Sequence, residues 1–225
     1  MIDQLKRTIA RYWGFTTFRP LQEQSMKAVL QGRDSLVVLP TGGGKSLCYQ
    51  APAVLQGGTT IVVSPLIALM KDQVDGLQAC GIQAIQIDSS QSSVERQAYS
   101  QDIRDGALRL VFVSPERLVS TDFCRLLRDV HVRTFAIDEA HCISHWGHDF
   151  RPEYRQLSRL RELFPAASIH AYTATATQRV RRDIVEQLCL HNPEVLVGNF
   201  DRPNLVYRVL PRRNELQQVD RKSVV

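Results

Sequence analysis

Three stretches of this 225-residue chain carry residue types at spacings that could do chemistry. The first is Thr41-Gly42-Gly43-Gly44-Lys45-Ser46, which follows the apolar run Leu36-Val37-Val38-Leu39 and leads into a helical pattern over 47–55. Glycines let successive backbone N–H groups turn toward one point, and a helix N-terminus adds partial positive charge. Lys45 can then reach the outer phosphates of a nucleotide and the Ser46 hydroxyl can ligate Mg²⁺. The strict G-x-x-x-x-G-K-[ST] pattern is not met, because Leu39 stands where its first glycine belongs. A glycine-rich turn with a solvated Lys45 is the competing reading. The order strand, glycines, Lys-Ser, helix favours a phosphate-binding loop.

The second stretch is Thr134-Phe135-Ala136-Ile137-Asp138-Glu139-Ala140-His141, in which two carboxylates come directly off a hydrophobic strand. Asp138 is placed to hold Mg²⁺ through its water shell, and Glu139 to accept a proton from a water attacking the terminal phosphate. Both could instead cap the following helix, and His141 is a candidate relay to neighbouring loops. The third stretch, Phe15 to Gln24, lies just upstream of the phosphate loop, with Pro20 suited to the first turn of a helix. A Gln22 amide can pair with an adenine edge and Phe15 can stack on its face, with Arg19 beside them. Further on, Trp146 and Phe150 alternate with His145, Gly147, His148, Asp149 and Arg151. Aromatics in that position often pack inward, but this interleaving argues for a partly exposed loop that stacks unpaired bases while Arg151 meets phosphates. The arginines at 179, 181 and 182 read as a solvated helix face.

These residues need a frame to bring them together. Short β-prone runs recur over 59–63, 84–87, 110–113, 135–137, 169–172 and 195–197, separated by helical segments over 65–79, 93–105, 116–128, 152–164 and 177–190. Several of the runs are continuously apolar, as in strands covered on both faces. The alternation predicts an α/β fold, a mainly parallel sheet with helices on both faces and ligands at the carboxyl ends of the strands. A further β-prone run over 205–210 has no partner left in the chain. The net charge of +5 permits a polyanionic partner without demanding one. No apolar run approaches the ~18 residues of a membrane span and no basic-then-apolar leader follows Met1. A soluble, intracellular protein with no membrane partner is expected, cytoplasmic in a bacterium or nuclear in a eukaryote. Five singly scattered cysteines read as reduced thiols in a reducing compartment, with no zinc site.

Taken together, the stretches resemble the first motor lobe of RecQ-type superfamily 2 DNA helicases, over nearly the whole chain. Phe18-Arg19-Pro20-Leu21-Gln22 is similar to that family's adenine-reading motif, and Thr41 to Ser46 to its phosphate loop, which also lacks the first glycine. Asp138-Glu139-Ala140-His141 continues into Cys142-Ile143-Ser144-His145-Trp146-Gly147-His148-Asp149-Phe150-Arg151-Pro152-Glu153-Tyr154, which resembles the aromatic-rich loop distinctive of RecQ proteins. That extension argues against RNA helicases and restriction motors. His145 stands where the family has Gln, and Phe15 where tyrosine is common.

The resemblance implies a RecA-like P-loop NTPase lobe over 1–200, with 201–225 as linker and the start of a truncated second lobe. It also implies ATP and Mg²⁺ as ligands, DNA contacts from 64–73 (with Ser64 and Lys71) and 114–118, and coupling of the nucleotide and DNA sites by Thr173-Ala174-Thr175. His148 joins Trp146, Phe150 and Arg151 on the DNA side. The implied partners are single-stranded and duplex DNA, and the implied activity is ATP-driven 3′-to-5′ translocation and unwinding in DNA repair and recombination. The second RecA-like lobe, which supplies an arginine finger in that family, is missing here. The chain alone is therefore expected to be a monomer that hydrolyses ATP weakly and does not unwind. A non-catalytic module that binds nucleotide and DNA is the competing function, and a small-molecule P-loop kinase would leave Gln22 and the aromatic loop without a use.

Overall fold

The structure is a computed structural model that describes residues 1–88, 91 and 93–199. The chain runs α1 (Ile2–Trp13), α2 (Gln22–Leu30), β1 (Ser35–Val38), α3 (Lys45–Leu55), β2 (Thr59–Val63), α4 (Ile67–Ala79), β3 (Ala84–Ile87) and α5 (Ser93–Arg104). It continues through β4 (Leu110–Val113), α6 (Pro115–Leu118), α7 (Thr121–Arg128), β5 (Val132–Ile137), α8 (Pro152–Arg155), α9 (Leu160–Leu163), β6 (Ser168–Thr173), α10 (Gln178–Gln187) and β7 (Glu194–Val197). All seven strands are parallel in one sheet of order β3-β4-β2-β5-β6-β1-β7.

Strand side chains alternate across the sheet, so β1 to β6 each feed two cores, whereas Val195 and Val197 of the edge strand β7 are exposed. Leu36, Val38, Ile61, Val63, Val111, Val113, Phe135 and Ile137 pack with Phe123, Leu127, Leu157 and Ile184 from helices on one face. Val37, Leu39, Val62, Phe112, Ala136 and Tyr172 pack with Leu5, Ile9, Met26, Tyr49 and Met70 on the other. This two-sided burial explains why β1, β2 and β4 read as uninterrupted apolar or buried runs. Because β1 lies beside β6, and β6 beside β5, three adjacent carboxyl ends deliver the glycine loop, Thr173 and the Asp138-Glu139 pair to one edge.

Two helical expectations change. The helix read over 116–128 is two helices, since Ser120 donates its hydroxyl to Arg117 O at 2.7 Å and so ends α6, and α7 starts afresh beyond it. The helix read over 152–164 is α8, a 3₁₀ segment over Gln156–Arg159, and α9. Its buried residues Tyr154, Leu157 and Leu160 recur every three positions, the period of the tighter helix. The linker and second-lobe start expected over 201–225, with the run over 205–210, lie outside the described residues. Among the described residues no helix is long and apolar enough to cross a membrane.

Candidate nucleotide and nucleic-acid site

The loop after β1 is a closed turn. Leu39 N donates to Thr173 O at 3.1 Å, tying the strand end to β6, and Gly43 N donates to Pro40 O at 2.8 Å. Thr41 and Gly42 are exposed, whereas Gly43 to Ser46 are half-buried. A Cβ on Gly43 would lie 2.8 Å from Pro40 O, and Gly44 sits at φ 79° as the N-cap of α3. Only glycine occupies both positions without strain, which leaves the backbone open toward a ligand. Lys45 heads α3 and folds its ammonium back to Leu39 O at 3.2 Å.

Gln22 and Arg19 turn toward this loop. Gln22 is 3% exposed, its Oε1 accepting from Arg19 N at 2.8 Å and its Nε2 donating to Gly44 O at 3.1 Å. The Arg19 guanidinium donates to Gly42 O. The amide expected at an adenine edge is thus pinned to the phosphate loop, with one Nε2 hydrogen left over. Phe15 is 52% exposed, a ring with a free face.

Asp138 leaves the end of β5 with its N–H donating to Val63 O at 2.8 Å, and its carboxylate is buried. Tyr154 donates its hydroxyl to Asp138 O at 2.9 Å and locks the corner. Burial, reinforced by the neighbouring Glu139 charge, pushes the Asp138 carboxyl up to about 6, against the pull of Lys45 and His141. Glu139 adopts the left-handed region, φ 47° and ψ 42°, a strained state for a non-glycine residue. Its N–H donates to Asp138 Oδ1 at 3.0 Å, and its carboxylate lies 3.3 Å from His141 Nδ1. That hydrogen bond, followed by the charges of His141, Lys45 and His148, holds the Glu139 carboxyl below its ordinary range. Two adjacent carboxylates are therefore driven apart in pKa, and Lys45 acts on both.

A polar chain then crosses to β6. Thr173, fully buried, donates to the carbonyl of the exposed Thr175 at 3.2 Å and so accepts from His141 Nδ1 at 2.9 Å. The Glu139 carboxylate lies 3.3 Å from that same ring nitrogen. The nucleotide edge and the Thr173-Ala174-Thr175 segment are in this way joined through one buried histidine.

The aromatic stretch follows a 3₁₀ turn over Ala140–Ile143 and is an exposed loop, with Trp146 58% exposed. His148 stacks on His141 with ring centroids 4.0 Å apart, and Phe150 lies 3.8 Å from His145. Arg151 pairs with Asp149 at 3.2 Å. Lys71 is exposed on α4 and pairs with Asp75 at 2.8 Å. Ser64, for which the resemblance implies a DNA contact, follows β2 fully buried, and its hydroxyl meets no partner among the described residues. The exposed large apolar members of its stretch are Leu66, Ile67 and Leu69. Of the arginines read as solvated, Arg179 lies over the Trp146 ring, 3.3 Å from its centroid. Sequence reasoning missed that contact, the Gln22–Gly44 bond and the Tyr154 lock. All three join residues at least 16 positions apart, beyond the reach of local periodicity.

A parallel sheet with a glycine-Lys-Ser loop after one strand and a carboxylate pair two strands away defines a P-loop NTPase lobe of the RecA-like type. The chain belongs to the DEAD/DEAH box helicase family, whose model matches residues 19–184. It is 50% identical over 209 residues to the ATP-dependent DNA helicase RecQ of Pasteurella multocida, covering 93% of this chain and 33% of that protein. It is 45% identical over 222 residues to the RecQ helicase of Bacillus subtilis, covering 98% of this chain and 38% of that protein. The chain thus spans about a third of the length of these curated relatives. A hypothetical ATP-dependent RNA helicase from Sulfolobus tokodaii shares the fold with TM-score 0.65 at 20% identity, over 88% of this chain and 57% of that one. The DUF1998 helicase MrfA bound to DNA does so with TM-score 0.66 at 20% identity, over 88% and 29%.

Proposed function

We propose that this chain is the ATP-binding lobe of a RecQ-type DNA helicase that couples ATP hydrolysis to 3′-to-5′ movement on single-stranded DNA and to duplex unwinding. The observation that carries the reading is the meeting of Lys45, Asp138 and Glu139 in one electrostatic cluster at the sheet edge. The RecQ relatives support the choice of DNA, as does the exposed aromatic loop built onto the same histidine that touches Glu139.

The glycine backbone and Lys45 hold the phosphates of ATP, and Phe15 stacks on the base. Glu139, kept ionised by His141, takes the proton of a water whose oxygen attacks the γ-phosphorus as the bond to the bridging oxygen breaks and ADP leaves with the electron pair. Ser46 and Asp138 are the donors that would hold Mg²⁺. They fit it because Asp138 is a buried carboxylate whose charged form needs a cation, beside a loop too close-packed for a Cβ on Gly43. Bound there, the ion supplies charge neutralisation at the phosphate oxygens. His141 and Thr173 pass the state of Glu139 to the segment before α10.

The test is Glu139→Gln in a protein carrying this lobe together with its second motor lobe. Mg²⁺-ATP binding should persist while turnover falls by about 10²–10⁴-fold, the usual worth of a positioned base. Full turnover by the variant would reassign Glu139 to a structural role at the turn. A parent protein that binds ATP and single-stranded DNA but never hydrolyses would establish the non-catalytic module instead.

A further inference from the structure

Helix α10 presents Arg179 and Asp183 four positions apart, hence on one face, and both engage the aromatic loop region. The Arg179 guanidinium carbon stands 3.3 Å from the centroid of Trp146. Asp183 lies 3.9 Å from Arg155, whose guanidinium in turn stands over the Phe150 ring at 5.8 Å. The same helix begins at Thr177, whose side chain caps it by accepting from Val180 N at 3.3 Å. It follows directly on Thr173-Ala174-Thr175, the segment bonded to His141. A closed circuit results: Glu139, His141, Thr173, the start of α10, Arg179, Trp146, and back along the loop to His141.

Two properties of this contact matter. Trp146 is 58% exposed, so with one face under Arg179 the other remains open. The Arg179 guanidinium makes no hydrogen bond or ion pair among the described residues, so its N–H edges are free for phosphate oxygens. An exposed tryptophan on a loop would otherwise sample several rotamers and give up that freedom on stacking.

From this geometry we infer that Arg179 is the positioning residue of the loop: it fixes Trp146 as a pre-formed stacking platform for one base of a single strand and ties that platform to the coupling segment. The inference rests on the nucleic-acid reading above. It assigns a role to an arginine that the sequence places on a solvated face.

The chain has two tryptophans, Trp13 and Trp146, so Trp13→Phe makes its fluorescence report Trp146 alone. In that background the parent, Arg179→Ala and Arg179→Lys are compared in two measurements, with far-UV circular dichroism confirming that each is folded. The first is acrylamide quenching without nucleic acid, where Arg179→Ala should raise the accessibility of Trp146. The second is titration with oligo(dT), read by quenching of Trp146, where Arg179→Ala should bind about two- to five-fold more weakly, as for loss of an exposed cation–π contact. Arg179→Lys should recover only part of that loss, because it restores charge without a planar stacking face.

Unchanged accessibility in Arg179→Ala would overturn the positioning role. Unchanged or tighter oligo(dT) binding would overturn the platform and make the contact a latch, and full rescue by lysine would reduce it to simple charge. A parent that shows no response to oligo(dT) would refute the nucleic-acid reading and the platform with it. The acrylamide comparison would still decide whether Arg179 covers the ring.

Discussion

Replacing Gly44 by alanine tests whether Gln22 and the phosphate loop act as one unit. Gly44 has φ 79°, so an alanine there carries a left-handed penalty of about 1–2 kcal/mol. Its new Cβ also runs into Gln22 Nε2. That atom ends a flexible side chain, but the side chain is 3% exposed and bonded at both ends, to Arg19 N at 2.8 Å and Gly44 O at 3.1 Å. Moving it forfeits two hydrogen bonds, each worth about 0.5–1.5 kcal/mol net. Gly44→Ala should therefore cost about 2–5 kcal/mol in urea unfolding of the chain. In a Gln22→Ala background the obstruction and both bonds are already gone, and the same substitution should cost only the backbone penalty. The double-mutant cycle should show a coupling of about 1–3 kcal/mol. Costs that simply add, within about 0.5 kcal/mol, would refute the view that Gln22 braces the loop.

Three other outcomes are expected. Lys45→Ala removes the ammonium that meets the phosphates but keeps the glycine backbone, and affinity for a fluorescent ATP analogue with Mg²⁺ should fall about 10- to 100-fold, the worth of a charged hydrogen bond; undiminished affinity would refute the assignment. Trp146→Ala should alter unfolding stability by less than about 1 kcal/mol, because most of its ring is already in water, while oligo(dT) affinity drops by the ~1–3 kcal/mol of one stacked base; unfolding of the variant would mark the ring as core. His170 is fully buried between Ser35 Oγ at 2.8 Å and Ser168 Oγ at 2.9 Å, and burial pulls its pKa from 6.5 down to about 4. As pH falls the unfolded chain takes up that proton first, so stability is intact above 6.5 and is lost progressively between 6.5 and about 4. Carboxylates titrate in the same range, so the quantity to measure is wild type minus His170→Gln in urea unfolding, which should shrink by about 2 kcal/mol from pH 7 to pH 5. A difference independent of pH would show that His170 is not held neutral.

What the sequence determined by itself was everything that local chemistry and period can express. Continuous apolar runs specified strands buried on both faces. The glycines with Lys45 and Ser46 specified a turn into a helix N-terminus, and Asp138-Glu139 had to leave a strand end. The tertiary structure decided which of these meet, and in which direction each polar group spends its hydrogen bonds. Gln22 braces Gly44 rather than lying free, because α2 packs against α3 and its buried amide must be satisfied there. Ser64 points inward and fills the end of β2. His141 reaches Thr173 because β5 and β6 are neighbours, a pairing that a separation of 32 positions conceals. Asp34 is the same case: its buried carboxylate accepts from Ile169 N at 2.9 Å and His191 N at 2.7 Å and pairs with Arg161. Side-chain period reports which face is covered, whereas strand order, a property of the whole sheet, reports by whom.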